Sequence, residues 1–111
     1  MVRRRDLSKG SIDSLLLSLI GQQPMYGYQV IKELEGRSQG YFKFKEGTLY
    51  PALHRLERAG LLVGRWQMLP GGRRRRYYYI TEKGRSILIE KTAQWQDFFA
   101  AMNLIIRPVN A

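Results

Sequence analysis

Glu46-Gly47-Thr48-Leu49-Tyr50-Pro51-Ala52-Leu53-His54-Arg55-Leu56-Glu57-Arg58-Ala59-Gly60-Leu61, followed by Gly71-Gly72-Arg73-Arg74-Arg75-Arg76-Tyr77-Tyr78-Tyr79, decides the fold. Leu49, Leu53 and Leu56 recur at helical spacing and predict a core-facing stripe. Thr48, Pro51, Arg55 and Arg58 share the opposite side, with Tyr50 and His54 on its flank. Pro51 carries no N–H, so the helix must start near Glu46, with Pro51 in or just past its first turn, and Gly60 ends it. Leu62-Val63-Gly64-Arg65-Trp66-Gln67 and residues 75–80 are aromatic and β-branched and flank Pro70-Gly71-Gly72, which predicts an antiparallel hairpin with four arginines near its tip.

Toward the C-terminus, Thr81 is a natural cap with Glu82 in the first turn behind it, and no breaker except Gly84 interrupts the pattern before Pro108. A helix of roughly 25 residues is about 37 Å long, more than the preceding small globule can cover. Leu88, Trp95 and Met102 repeat every seven residues, as do Thr92, Phe99 and Ile106, and Ile87, Phe98 and Ile105 widen the stripe. Two such rows form a seam of the kind that pairs helices, which predicts a homodimer through Leu88, Trp95, Phe98, Phe99, Met102, Ile105 and Ile106. The alternative is a helix that folds back on its own domain.

Toward the N-terminus, Ile12, Leu15, Leu16, Leu19 and Ile20 predict a first helix from Ser8 or Ser11 to Ile20, with Gly21 just past its end. A second helix is expected over residues 26–35, with Gly27, Val30, Ile31 and Leu34 inward. Gly27 there signals either the close approach of another backbone element or a fraying first turn. Tyr41, Phe42, Lys43 and Phe44 alternate and read as a loop entering a very short strand. Residues 1–7 form a basic N-terminal arm in which Arg3, Arg4 and Arg5 either enter a minor groove or belong to a solvated tail. The expected division is residues 1–80 as one domain and residues 81–111 as a helix and tail. The fold class is mainly α with a small β-hairpin.

Nineteen Lys and Arg against nine Asp and Glu leave a net charge of +10 on 111 residues. Polyanions are the natural partners, because neutralised phosphates release condensed counterions. No apolar run approaches the ~20 residues that span a bilayer, so no membrane association is expected. Met1-Val2-Arg3-Arg4-Arg5 before Leu15-Leu16-Leu17 superficially resembles a signal peptide. No small-residue cleavage pattern follows it, and the helical spacing favours a buried helix. With no cysteine and a single histidine, thiol chemistry and a His-rich metal site are excluded, and a cytoplasmic location is expected. No nucleophile–base pair, carboxylate pair or phosphate loop is readable, so neither an enzyme nor a cofactor is expected.

Thr48, Tyr50, His54, Arg55 and Arg58 project from a helix that a DNA major groove can accept, as base-edge and phosphate contacts. Arg73, Arg74, Arg75 and Arg76 suit phosphates better than bases. Consecutive strand residues point to opposite sides, so only about half can face one duplex, and Arg73 and Arg75 are expected there.

Met25-Tyr26-Gly27-Tyr28-Gln29-Val30-Ile31, the Gly47-Thr48-Leu49-Tyr50-Pro51 stretch, Gly60-Leu61-Leu62, the arginine hairpin and Ile80-Thr81-Glu82-Lys83-Gly84-Arg85 come in an order that resembles the PadR family of bacterial transcriptional regulators. The resemblance covers about residues 12–88. It implies a winged helix-turn-helix domain, dimeric, that represses transcription from operator DNA, with the third helix as recognition helix and the arginine hairpin as wing. The single final helix resembles that of the small PadR subgroup. Arg74 departs from the Pro common in the family's Gly-Arg-Pro-Arg-Lys-Tyr-Tyr run, and Tyr79 stands where a polar or basic residue is frequent.

The resemblance also makes a small aromatic effector a candidate partner, sandwiched by Trp95, Phe99 and Met102; the same stripe also suits plain interface core. The other readings are a basic RNA-binding module, which would not need the paired-helix seam, and a winged-helix protein-interaction module, which would not need four adjacent arginines. A dimer should read two half-sites about one helical turn apart, roughly 34 Å, on an imperfect palindrome.

Overall fold

The structure, a computed structural model, describes residues 4–108, and side chains from residue 10 onward. Its elements in chain order are α1 (Arg4–Gln22), β1 (Met25–Tyr26), α2 (Gly27–Arg37), α3 (Glu46–Arg58), β2 (Leu62–Met68), β3 (Arg74–Ile80) and α4 (Glu82–Ile105). The strands form one antiparallel sheet in the order β1-β3-β2.

The core lies where α1, α2 and α3 meet the sheet. Leu16, Leu17, Ile20, Met25, Val30, Leu49, Leu53, Leu56 and Leu62 are each at most 2% exposed. Each such side chain contributes about 1.5–3 kcal/mol through removal from water. The predicted stripe of α3 is this core.

Local chemistry sets the ends of α3. Lys45 caps it through its carbonyl, which accepts from Thr48 and Leu49. Pro51 sits in the second turn, so the carbonyl of Gly47 loses one helical donor. At the far end Leu61 N–H donates to Leu56 and Gly60 N–H to Glu57, with Gly60 at φ 79°. That pair of bonds needs a left-handed residue, which glycine adopts without a Cβ penalty, and it buries Leu61 against the helix it has just left.

The hairpin has the expected form. Leu62 pairs with Ile80, and the ladder continues to Met68 opposite Arg74. Leu69 N–H closes the loop onto the Arg73 carbonyl, with Gly71 and Gly72 both at positive φ.

Thr81 caps α4 by accepting from Gly84 N–H at 3.0 Å, while its hydroxyl donates to the Gly60 carbonyl at 2.6 Å. Lys83 donates to the Ala59 carbonyl, placing a cation at the negative end of α3. The start of α4 is thereby bolted to the end of α3. A Cβ at Gly84 would come within 3.1 Å of the Leu61 carbonyl carbon, so only glycine fits this crossing.

Three expectations change. Helix α1 does not begin at Ser8 or Ser11. Arg4 and Arg5 lie in its first turn rather than in a separate arm, and Arg3 lies outside the described residues. Gly21 is inside α1, where Leu88 and Ile80 pack on it. Tyr41–Phe44 form no strand: Phe42 and Phe44 pack on the core as plugs, and the short strand is Met25–Tyr26, held by Tyr77 and Tyr78.

Candidate nucleic-acid interface

The exposed side of α3, the hairpin and the N-terminal end of α2 border a cleft of about 420 Å³. Tyr50 and His54 line it from α3, one turn apart, and Tyr26 and Gly27 from the β1–α2 junction. Trp66 and Arg74, Arg75 and Arg76 close it from the hairpin.

Tyr50 is fixed by the residue opposite. A Cβ at Gly27 would reach within 2.7 Å of Tyr50 Cζ, so the buried glycine is the seat of the tyrosine ring. The close approach inferred for Gly27 is therefore made by a side chain, not by backbone. Burial, and then the carboxylate of Glu46, push the Tyr50 phenol pKa up, so it stays a neutral donor. Thr48, His54 and Arg58 are exposed on α3, and His54 shares the cleft with Tyr50.

Arg55 is placed differently. Its guanidinium donates both Nη1 and Nη2 to the carboxylate of Asp13 on α1, each at 2.9 Å, and the hydrogen bond to Asp13 raises its pKa further. Both donors most useful for reading guanine are occupied within the domain. Arg55, expected on the groove-facing side, is thus also held to α1 by an ion pair within the domain.

Along β3 the side chains alternate. Arg74, Arg76 and buried Tyr78 lie on the side turned to α3; Arg75 and Tyr77 lie on the other. Arg75 stands 4.2 Å over the Tyr26 ring, which in turn meets the edge of Tyr77. Arg74 stands 5.2 Å from the Trp66 ring. Arg76 pairs with Glu57, and that hydrogen bond raises its pKa. Arg73 and Arg74 are exposed at the tip. Of the four arginines expected to meet phosphate, Arg76 is therefore paired with a carboxylate, Arg73 and Arg74 are exposed, and Arg75 is half-buried.

Sequence reasoning missed Trp66, which is 57% exposed beside the arginines, and Glu57, which joins the helix to the hairpin. The place of Trp66 depends on the hairpin register, which is not readable from the sequence. Trp66 stands directly opposite Arg76 in that register.

The other end of the molecule is apolar. Trp95, Phe98 and Phe99 form one aromatic cluster on α4, with ring centroids 5.6–6.1 Å apart. Trp95 Nε1 donates to Ser14 Oγ on α1 at 2.7 Å. A groove of about 500 Å³ runs between α1 and α4 and is lined by Leu15, Phe42, Leu88, Trp95 and Phe99 among others. Past the groove Phe98, Phe99, Met102, Ile105 and Ile106 are 38–80% exposed. Leu88, expected in the dimer seam, does not share that exposure: it is half-buried, packs on Gly21 and the core, and lines the groove.

Residues 16–90 match the Transcriptional regulator PadR-like family. The chain belongs to this family. It is 36% identical over 86 residues to the transcriptional regulator Rv3488 of Mycobacterium tuberculosis, covering 78% of this chain and 77% of that one. The fold of this PadR-like regulator is also that of solved relatives. A transcriptional regulator from Clostridium thermocellum superposes with a TM-score of 0.82 at 29% identity, covering 96% of this chain and all of the other. A PadR family transcription regulator from Clostridium difficile gives 0.74 at 35% identity, covering 84% and 95%. The four helices and three-stranded sheet are thus a winged helix, with β2–β3 as the wing. Among the described residues no helix is long and apolar enough to cross a membrane.

Proposed function

We propose that this PadR-like chain is a homodimeric, sequence-specific repressor that reads an imperfectly palindromic operator. Residues 1–80 form its DNA-binding part and residues 81–111 its dimerisation helix and tail. The observation that carries this reading is the separation of two surfaces on one elongated molecule, 57 Å in its longest extent. One end presents Thr48, Tyr50, His54, Arg58, Arg73, Arg74 and Arg75; the other presents Phe98, Phe99, Met102, Ile105 and Ile106. The cationic end supplies phosphate and base-edge donors to a groove. The apolar end is a contiguous exposed patch of the kind that another protein surface covers, and pairing two copies there would aim two recognition helices at successive half-sites.

A small planar aromatic effector is the regulatory partner in this reading, held where Trp95 and Phe99 line the groove between α1 and α4, with Met102 one turn beyond. Selection from randomised duplexes, followed by footprinting, tests the operator. A two-fold-symmetric protected site supports the reading, and a single asymmetric motif or no enriched sequence defeats it. Loss of the bound duplex on adding a planar aromatic compound, with unchanged binding when Trp95 and Phe99 are replaced by Ala, supports the effector.

A further inference from the structure

The arginines of the wing are not equivalent. The Arg76 side chain lies across Gly64, where a Cβ would come within 2.7 Å of its guanidinium carbon. Its Nη2 donates to Glu57 Oε2, and the same oxygen accepts from the backbone N–H of Gly64 at 3.1 Å. Glu57 belongs to the last turn of α3, Gly64 to β2 and Arg76 to β3. One carboxylate oxygen therefore ties the recognition helix to both strands of the wing. The two side chains are 33% and 26% exposed, so water screens the pair only in part.

We infer that Arg76 is a positioning residue that fixes the angle of the wing to the recognition helix through Glu57, and that phosphate contact from this face of the wing falls to Arg74, which leans on Trp66. The inference rests on the DNA-binding reading above. The wing strands are seven residues long, a lever of about 23 Å at ~3.3 Å per residue. Play of about ten degrees at the base of such a lever moves its tip about 4 Å, more than a phosphate hydrogen bond tolerates. A contact that holds the base is therefore felt at the tip. Were Arg76 itself to turn to phosphate, Glu57 would be left facing the duplex without its cation.

The two roles give opposite signs for Glu57→Gln in the full chain. This change keeps an acceptor for Gly64 but removes a negative charge near DNA. If Arg76 were a phosphate ligand, it would be released, and binding to the selected operator duplex would tighten. If Arg76 positions the wing, binding weakens about threefold or more while the slope of log affinity against log salt stays the same. Arg74→Ala should lower that slope by about one per protomer. Tighter or equal binding by Glu57→Gln overturns the inference. Failure of the unaltered chain to bind any duplex would instead overturn the DNA-binding reading.

Discussion

The divergent placing of Arg55 and Arg74 is the sharpest outcome at the scale of single residues. Both are arginines on the basic side of the molecule, yet Arg55 is locked to Asp13 and Arg74 is exposed over Trp66. Arg55→Ala should cost about 1–2 kcal/mol of stability, because Asp13, 15% exposed, is left without its bidentate partner. The salt slope of DNA binding should not move. Chemical denaturation together with salt-titrated binding checks both halves; a reduced slope with unchanged stability would return Arg55 to the groove. No spacing rule could have revealed this pair, since its partners are 42 residues apart and meet only after α1 and α3 have packed. Periodicity assigns a side chain to a helix face. It does not say which carboxylate another helix will bring there.

The elements defined by local chemistry were legible, and those defined by a partner were not. Thr81 as a cap, Gly60 as a stop and Gly71-Gly72 as a turn each act within a few residues, and each stands where the sequence reading put it. The Tyr41–Phe44 alternation suggested a strand, but no sheet edge lies beside it; Met25–Tyr26 became the strand because β3 offers it one. Tyr78 on β3 shows what that pairing buries. It is 2% exposed, and burial, as the largest cause, raises its phenol above the usual 10.0. A raised phenol pKa means the fold favours the neutral form. Its stabilising contribution is therefore complete below the unfolded value and is lost as pH climbs through the folded one. The melting temperature should fall as pH rises above about 10, and less steeply in Tyr78→Phe. Equal slopes for the two proteins in differential scanning calorimetry would show that Tyr78 is not the titrating group; Tyr50, raised for the same first reason, would then be next to replace.

At the scale of the whole molecule, shape carries the argument. The radius of gyration is 16.1 Å, against about 13 Å for a compact chain of similar length. The excess comes from α4, whose first half lies on α1 while its second half projects with Leu104 and Ile105 at least 75% exposed. The far rows of this helix, Phe98, Phe99, Met102, Ile105 and Ile106, are exposed, while Leu88 packs partly on its own domain. A seven-residue repeat continues through both halves and cannot mark where intramolecular cover ends. Phe98→Glu combined with Ile105→Glu should convert a dimer to a monomer in sedimentation at micromolar concentration. Operator affinity should fall by about 100-fold or more, as two tethered half-site contacts become independent. A dimer that survives both charges would place the self-association surface elsewhere.

The chain's two indoles fall one at each end, Trp66 among the arginines of the wing and Trp95 anchored to Ser14 beneath the aromatic cluster. Intrinsic fluorescence is thereby divided by geography. In a Trp95→Phe protein the remaining emission reports the wing alone, and in a Trp66→Phe protein it reports the α1–α4 groove. A signal passing from one extremity to the other could be timed optically with no dye attached.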